Sequence, residues 1–179
     1  MTYVTMDRVA LDLILLSVLR AAPAHGYELK RQVQRPTFAR LSNNSLYPHL
    51  RRFERLGAVT SSVEEHEGRP ARRVYAITDA GRRLFTDLVS TLPRELAGSD
   101  EEFLVRLSFF GEIDAPARAA ILAARAEVLA ERLAQVRALK GEAKSMPEWR
   151  AIAMDHLLEQ LSGELEWIAE LTMNTEDSR

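Results

Sequence analysis

The sequence predicts a mainly α-helical chain with one small β-hairpin, in which an N-terminal domain precedes an antiparallel pair of long helices. Three observations carry this prediction: apolar residues recur at helical spacing in most segments, residues 59–63 and 73–77 alternate as strands do, and a heptad repeat runs through residues 122–168. We predict the following division: an N-terminal domain at 1–92, a linker at 93–98 and a helical domain at 99–176.

The first two helices are short. The first begins with Asp7 as its candidate N-cap, and the sequence AAPA at residues 21–24 ends it. A second helix opens within residues 25–29 and runs to about Val33. The first helix is predicted from five apolar positions at helical spacing: Leu11, Ile14, Leu15, Val18 and Leu19.

A third helix has two chemically distinct faces and ends at Gly57, which suits a C-cap. One face is apolar and consists of Leu46, Leu50, Phe53 and Leu56. On or beside the opposite face lie Tyr47, Arg51, Arg52 and Arg55. Arginines reach phosphates or guanine edges and a tyrosine hydroxyl reaches a phosphate oxygen, so this helix suits a DNA groove. A solvated amphipathic helix in any small domain is the alternative.

Three polar residues stand at the start of this helix, namely Asn43, Asn44 and Ser45. One of them is expected to cap it, and the other two are candidate DNA contacts. If Ser45 is the cap, Pro48 falls at the third helical position, where its missing N–H has no cost.

Two half-buried strands follow, and a polar loop at residues 64–72 joins them. Its candidate DNA contacts, to phosphates or in the minor groove, are Arg69, Arg72 and Arg73. Arg73 alternates in phase with Tyr75, so a place on the packed face of the strand is the alternative. Three helices and then a hairpin are typical of a winged helix-turn-helix, whose third helix enters the major groove while the hairpin loop, or wing, touches the backbone.

The chain resembles the PadR family of bacterial transcriptional regulators. The sequences HGYEL at residues 25–29, SLYPHLRRFE at 45–54 and GRPARRVY at 68–75, followed by TDAG at 78–81, carry the match. One departure is Phe53, where leucine is usual in the family. The resemblance implies a winged-helix DNA-binding protein that represses a neighbouring gene and releases DNA on binding a small aromatic or lipophilic compound. We expect His25 and Tyr27 to pack within the helix-turn-helix.

The formal net charge of −2 hides an asymmetry between the two halves. Residues 1–98 contain 15 Lys and Arg and 10 Asp and Glu, a net +5, whereas residues 99–179 contain 9 and 16, a net −7. The positive charge is therefore concentrated in the half that carries the candidate recognition helix, as nucleic-acid binding requires. The acidic half is expected to lie away from DNA.

The second half is predicted to be helical throughout. A fourth helix starts at Thr78 or Asp79, Ser99 and Glu102 form a capping-box pattern, and Asp114 opens a long helix. The heptad seam of the two long helices, predicted to pair the chain with a second copy, consists of Leu122, Ala126, Leu129, Leu133, Val136, Met154, Leu158, Leu161, Leu165 and Ile168.

Additional apolar positions flank this seam: Ile121, Val128, Leu139, Ile152, Leu157, Trp167 and Leu171. A two-helix hairpin is too small to cover stripes this wide, so we expect a homodimer, with a monomer core as the alternative. Two recognition helices related by a two-fold axis would read a palindromic operator in double-stranded DNA. A candidate effector pocket consists of Phe109, Phe110, Trp149 and Trp167, for which a core role is the alternative.

Other functions have little support in the sequence. The four histidines lie in separate elements, no phosphate-binding loop or nucleophile elbow occurs, and cysteine is absent, so we expect no enzyme, no cofactor and no metal. No apolar run is long enough to span a bilayer, which predicts a cytoplasmic protein; Met6 is an alternative start. The predicted function is a sequence-specific, homodimeric DNA-binding regulator, and the resemblance implies that it is a repressor. The alternative is a winged helix that binds a protein partner.

Overall fold

A computed structural model describes residues 9–33, 43–66, 69–142 and 146–176. Within these ranges the chain is mainly helical with a small antiparallel sheet, which confirms the predicted fold class. The elements are α1 Val9–Ala21, β1 Ala24–His25, α2 Gly26–Val33, α3 Asn43–Arg55, β2 Val59–His66, β3 Arg69–Ile77, α4 Asp79–Val89, α5 Asp100–Leu107, a 3-10 turn Phe110–Glu112, α6 Ala115–Glu142 and α7 Glu148–Glu176. Asp7, the predicted cap, and Met6 lie outside the described residues.

The chain divides into two compact units. The first comprises Met1–Ser90 and Leu104–Gly111, and the second comprises Thr91–Phe103 and Glu112–Arg179. Residues 104–111 thus group with the N-terminal unit, although the predicted division placed them in the C-terminal helical domain. The predicted division into domains stays a prediction.

The core of the first unit is built around α1, in which nine of thirteen residues are buried. Leu13, Leu15 and Leu16 have no exposed surface, and Phe85 of α4 is 2% exposed. α1 contacts α2, β3 and α4. Full burial of a leucine or phenylalanine side chain contributes about 1.5–3 kcal/mol, so this helix is the main apolar support of the unit. A single charged residue, Asp12, is buried among these apolar side chains.

The sheet has three strands in the order β1-β3-β2, all antiparallel. Val59 pairs with Ile77 in the predicted hairpin, and Ala24 pairs with Tyr75 to add β1. The sequence predicted a helix from His25 onward and missed this strand, because a two-residue strand exists only through its partner in β3. The tip of the wing, residues 67–68, lies outside the described residues.

The start of α4 is attached to the end of α3 by a close backbone approach. Thr78 caps α4 by accepting a hydrogen bond from the Gly81 N–H at 3.1 Å, and its hydroxyl donates to the Gly57 carbonyl at 2.6 Å. A Cβ at Gly81 would lie 2.1 Å from the Ala58 carbonyl oxygen, a distance that no side chain tolerates. Gly81 therefore lets α4 begin beside the turn that follows α3.

The second unit is an antiparallel pair of helices preceded by a short helical segment. α6 has 28 residues and α7 has 29, so each is about 42–44 Å long. As predicted, the Asp114 side chain caps α6 by accepting from the Ala117 N–H at 2.9 Å, and the Ser99 hydroxyl accepts from the Glu102 N–H at 3.3 Å. The heptad residues that this single chain buries are Leu122, Leu129, Leu133, Val136, Leu161 and Ile168.

A buried arginine that the sequence analysis did not identify lies between these helices. Arg125 of α6 is 1% exposed, donates to Glu164 of α7 at 2.6 and 2.8 Å, and donates to the Ala97 carbonyl at 2.8 Å. It also reaches Asp100 at 2.5 Å. Buried arginines need such partners, because an unpaired charge in the interior is strongly unfavourable. Arg125 therefore links the two long helices to the segment that precedes them.

Substitution of Gly81 tests the close approach at the start of α4. We expect Gly81→Ala to lower the free energy of unfolding by about 1–3 kcal/mol, because the new Cβ forces the Ala58 backbone to move. Gly163→Ala is the matched control: Gly163 lies within α7 with nothing within 4 Å of its added Cβ, so it should gain about 0.5–1 kcal/mol. Urea unfolding of both variants measures the free energy of unfolding. Equal changes in the two variants would contradict the close approach of Gly81 to the Ala58 backbone.

Candidate nucleic-acid interface

α3 presents one buried face and one exposed face. Leu46, Leu50 and Phe53 are 3%, 1% and 0% exposed, as the predicted apolar stripe requires. Leu56 is an exception: it is 47% exposed, because α3 ends at Arg55 and the chain turns at Gly57, whose φ is 66°. Its assignment to the buried stripe is therefore wrong.

Three of the four predicted contact residues lie on the exposed face of α3. Tyr47 is 51% exposed, and Arg51 and Arg55 are exposed. Arg51 and Arg55 also line a surface hollow of about 410 Å³ beside Pro48 and Glu54. This side of the helix offers two guanidinium groups and a phenol to a partner, which is the chemistry that phosphates and guanine edges accept.

The fourth predicted residue, Arg52, has a different place. Its side chain is 19% exposed and its guanidinium is paired with the carboxylate of Asp12 on α1. His49 Nδ1 lies 2.5 Å from the other oxygen of the same carboxylate. Arg52 is therefore committed to a contact inside the unit, and we leave it out of the proposed DNA-contacting set. The sequence carries one signal of it, since a lone aspartate in an apolar helix needs a buried partner, but it does not say which residue supplies that partner.

The start of α3 differs from one of the predicted arrangements. The helix begins at Asn43, so Ser45 lies within its first turn and Pro48 lies inside the helix. The arrangement in which Ser45 caps the helix is therefore wrong. As a consequence of the earlier start, Pro48 stands where an N–H would normally bond the Asn44 carbonyl. The side chains of Asn43, Asn44 and Ser45 lie outside the described part of the chain, so their DNA contacts stay predictions.

A groove of about 490 Å³ lies beside Tyr47, and we call it the tyrosine groove. Its aromatic and basic lining residues are Tyr27, Tyr47, Tyr75, Arg31, Arg72 and Arg73. Tyr27 is 72% exposed, so the prediction that it packs inside the helix-turn-helix is wrong. A Cβ at Gly26 would lie 3.4 Å from the Tyr47 hydroxyl oxygen, so the α2 backbone forms part of the wall. Glu28 also lies on the lining, so three arginines and one carboxylate leave the groove with a net positive charge that suits an anion.

A polar network joins α3 to the strands of the wing. The Ser61 hydroxyl donates to the Glu54 carboxylate at 2.5 Å, and Arg73 lies 3.8 Å from the same carboxylate. Arg73 thus sits beside α3, which agrees with the alternative that placed it on the packed side of its strand, yet its side chain is 55% exposed. Burial raises the pKa of Tyr75 above 10.0, and the nearby Arg73 partly offsets this effect.

Of the two remaining wing arginines, the structure describes the side chain of Arg72 but not that of Arg69. Arg72 is exposed and pairs in register with Glu64 of β2. Glu64 itself lies 3.9 Å from His25 Nε2. Arg69 opens β3, and its side chain lies outside the described part of the chain. Arg72 is therefore the wing arginine with a described, solvent-accessible side chain and no place in the α3 network.

The four residues of the predicted effector pocket fall in both units. Phe109 packs edge-on against Phe85 with ring centroids 5.2 Å apart, and it lies with Phe110 in the first unit. Trp167 packs edge-on against Phe103 at 6.1 Å, whereas Trp149 is 78% exposed. The two tryptophans are eighteen residues apart on α7, about 27 Å along its axis, so they do not line one pocket within a chain.

The described ranges contain neither a candidate metal site nor a candidate membrane-spanning helix. No group of three or more His, Cys, Asp or Glu side chains there could hold a metal ion. Among those same residues, no helix is both long and apolar enough to cross a membrane.

Comparison with known proteins gives a family and a relative that this chain matches in sequence. Residues 15–87 match the transcriptional regulator PadR-like family. Transcriptional regulator Rv3488 of Mycobacterium tuberculosis (strain ATCC 25618 / H37Rv) is 36% identical over 95 residues, which are 51% of this chain and 87% of that protein.

Among solved structures, Bacillus subtilis PadR in complex with operator DNA is 15% identical, with a TM-score of 0.45, over 92% of this chain and 98% of that chain. The PadR-like transcriptional regulator BC1756 from Bacillus cereus is 21% identical, with a TM-score of 0.42, over 94% and 99%.

A winged helix whose third helix exposes arginines and a tyrosine defines a DNA-binding transcription regulator. The chain belongs to the PadR-like family of transcriptional regulators. The resemblance seen in residues 25–29, 45–54 and 68–75 is thereby confirmed.

The raised pKa of Tyr75 predicts a loss of stability in alkaline solution. A phenol whose pKa is higher in the folded protein favours folding below pH 10.0, and this contribution is lost as pH rises through the folded-state value. The free energy of unfolding should therefore fall above pH 10 in the wild type and fall less in Tyr75→Phe. Urea unfolding at pH 8 and above pH 10 measures this, with Tyr27→Phe as a control that keeps the wild-type decline. Parallel declines in the wild type and Tyr75→Phe would contradict the raised pKa of Tyr75.

Proposed function

We propose that this regulator is a homodimeric repressor that reads a palindromic operator beside its own or a neighbouring gene and leaves it when a small molecule binds. The observation that carries the proposal is the exposed face of α3, where Tyr47, Arg51 and Arg55 project from a helix whose other face is buried. A major groove about 12 Å wide admits one α-helix with its side chains.

Each exposed side chain of α3 has a role that follows from its chemistry. Arg51, near the middle of the exposed face, is proposed to read a base edge, since its guanidinium can bond the O6 and N7 atoms of guanine together. Arg55, one turn later, is proposed to contact a phosphate. The Tyr47 hydroxyl is a donor for a phosphate oxygen at the edge of the groove.

The tyrosine groove is proposed to hold the DNA backbone beside the base-reading helix. Arg31 of α2 and Arg72 of β3 stand on its lining, with the Tyr47 ring between α2 and α3. Arg73 contributes less, because Glu54 lies close to its guanidinium. The net charge of +5 over residues 1–98 supports this use, since backbone contacts are electrostatic and release counterions.

The long helices are proposed to pair with those of a second copy. Trp149, Ile152 and Trp167 are 78%, 49% and 38% exposed, and at about 100° per residue they share one outward side of α7. Leu139 near the end of α6 is 56% exposed. Such a row of large apolar side chains on a helix usually marks an interface.

The residues that we propose for dimerisation differ from the predicted seam, because much of the seam is buried within a single chain. Leu161 and Ile168 are 4% and 2% exposed within a single chain, so they support the hairpin itself. The outward residues Trp149, Ile152 and Trp167, with Leu139, are the better candidates for contact with a second copy. Two winged helices tethered in this way would read half-sites about 34 Å apart.

The proposed release by an effector follows from family membership. A small aromatic or lipophilic compound would act by binding at the paired helices and altering the distance between the two recognition helices. Such coupling requires that the compound bind one arrangement of the dimer better than the other.

Fluorescence anisotropy on labelled DNA tests the proposal. The purified protein is titrated onto the intergenic DNA beside its own gene and onto a scrambled duplex across a salt series. Tight binding to the first, with an affinity that falls steeply with salt, is expected. Equally weak binding to both, together with salt-independent capture of a protein partner, would favour a protein-binding winged helix.

Two arginine substitutions separate base reading from backbone contact. Arg51→Ala should cost about 1–3 kcal/mol on the operator and relax base preference, because a base contact is lost. Arg72→Ala should weaken binding to all sequences and reduce the salt slope by about one. Arg137→Ala, which removes an exposed arginine of α6, is the control and should change neither. If Arg51→Ala weakened operator and scrambled DNA equally, its proposed role would be wrong.

A charge placed on the outward side of α7 tests the dimer. Ile152→Glu should convert the dimer to a monomer and abolish operator binding, while the far-ultraviolet circular dichroism stays that of the wild type, because Ile152 is 49% exposed within the single chain. Ala169→Glu puts the same charge on an exposed alanine about 100° away on the same helix and should stay dimeric. Sedimentation velocity measures both; a dimeric Ile152→Glu protein would show that another surface pairs the chains.

A further inference from the structure

A carboxylate lies buried within the most apolar helix of the first unit. Asp12 of α1 is 2% exposed, and the eight other buried residues of that helix are all apolar. A buried charge is retained only where partners replace the water it has lost. Apolar packing does not require a carboxylate at this position, so the residues that contact Asp12 indicate its role.

Both partners of Asp12 come from α3. His49 Nδ1 lies 2.5 Å from one carboxylate oxygen, and a guanidinium nitrogen of Arg52 contacts the other. The same nitrogen lies 3.4 Å from His49 Nδ1, so the three side chains form one cluster. The partners are 37 and 40 residues away in sequence, and the cluster therefore connects α1 to the helix that carries the DNA-contacting side chains.

The cluster lies on the side of α3 that is turned away from Tyr47 and Arg51. His49 and Arg52, three residues apart, are neighbours on one side of the helix. At about 100° per residue, Tyr47 and Arg51 point in nearly the reverse direction. Any rotation of α3 about its axis therefore moves the cluster and the exposed side chains together.

Directional contacts restrict such a rotation more than apolar packing does. Leu46, Leu50 and Phe53 are held by a hydrophobic effect that has no preferred direction. Hydrogen bonds to the two oxygens of one carboxylate depend on angle and distance. A rotation of about 20° would shift side-chain atoms ~6 Å from the axis by about 2 Å, which is more than a hydrogen bond to a base tolerates.

We propose that Asp12, His49 and Arg52 are positioning residues that set the rotation of α3 and thereby the base preference of the regulator. This inference rests on the proposed reading of DNA by α3. A purely structural cluster would affect stability alone. A positioning cluster changes which bases are preferred, even in variants that remain folded.

Arg52→Lys is the first test, because it keeps the positive charge but loses the planar fork of the guanidinium. The probe is a pool of duplexes that the wild type selects from a randomised library. We expect the ratio of affinities for selected and scrambled duplexes to fall about tenfold and the preferred bases to change. The salt slope should stay at the wild-type value, since Arg52 is not a phosphate contact.

Arg20→Lys is the matched control for this variant. Arg20 lies in α1 with its guanidinium 4.1 Å from the centre of the Phe85 ring, so the substitution also removes an arginine-specific contact of the same unit. It does not involve the Asp12 cluster, and it should keep the wild-type affinity ratio and preferred bases. Thermal midpoints of both variants show how much stability each loses.

A triple variant, Asp12→Leu with His49→Leu and Arg52→Met, removes the cluster without leaving an unpaired charge. Replacing a buried ion pair with apolar side chains often leaves stability unchanged or higher. We expect this folded variant to lose the affinity ratio as Arg52→Lys does. If either variant is folded and keeps the wild-type ratio and preferred bases, the inference is overturned. If the wild type itself enriches no sequence, the proposed reading of DNA by α3 fails, and this inference with it.

Discussion

The burial of the apolar face of α3 is the contact on which the rest of the interface depends. Leu46, Leu50 and Phe53 are nearly or fully buried, and together they contribute about 5–9 kcal/mol, a large part of the stability of a small domain. Because this face is held inside, Tyr47 and Arg51 must face outward. The direction of the basic face is thus a consequence of hydrophobic burial.

Polar contacts add the precision that burial lacks, and they do so on two sides of α3. Asp12 connects the helix to α1, while Glu54 connects it to the wing through Ser61 and Arg73. α3 and the wing are therefore linked directly as well as through the core. Such linkage is important for a DNA-binding protein, because the helix and the wing contact neighbouring parts of one duplex.

The two units divide the chemistry of the chain between them. The first carries the net positive charge and the tyrosine groove, and the second carries the net negative charge and the outward row of Trp149, Ile152 and Trp167. An acidic helical pair is repelled by phosphates, so it is suited to holding two copies together without competing for the duplex. We propose that the second unit pairs with that of a second copy. DNA is then the partner of the first unit, and a second copy of the chain is the partner of the second.

The sequence by itself determined the elements whose signals are local. Helical periodicity predicted the buried face of α3 and the existence of two long C-terminal helices. The caps at Ser99 and Asp114 were predicted from side chains that bond backbone three residues away. The exposed placement of Tyr47, Arg51 and Arg55 followed from the same periodicity. Only the tertiary structure decided β1, the tyrosine groove and the pairing of Arg52 with Asp12, because each depends on residues far apart in the chain. Local patterns report neighbours within a turn or a strand, and a partner 40 residues away becomes visible only when the chain has folded.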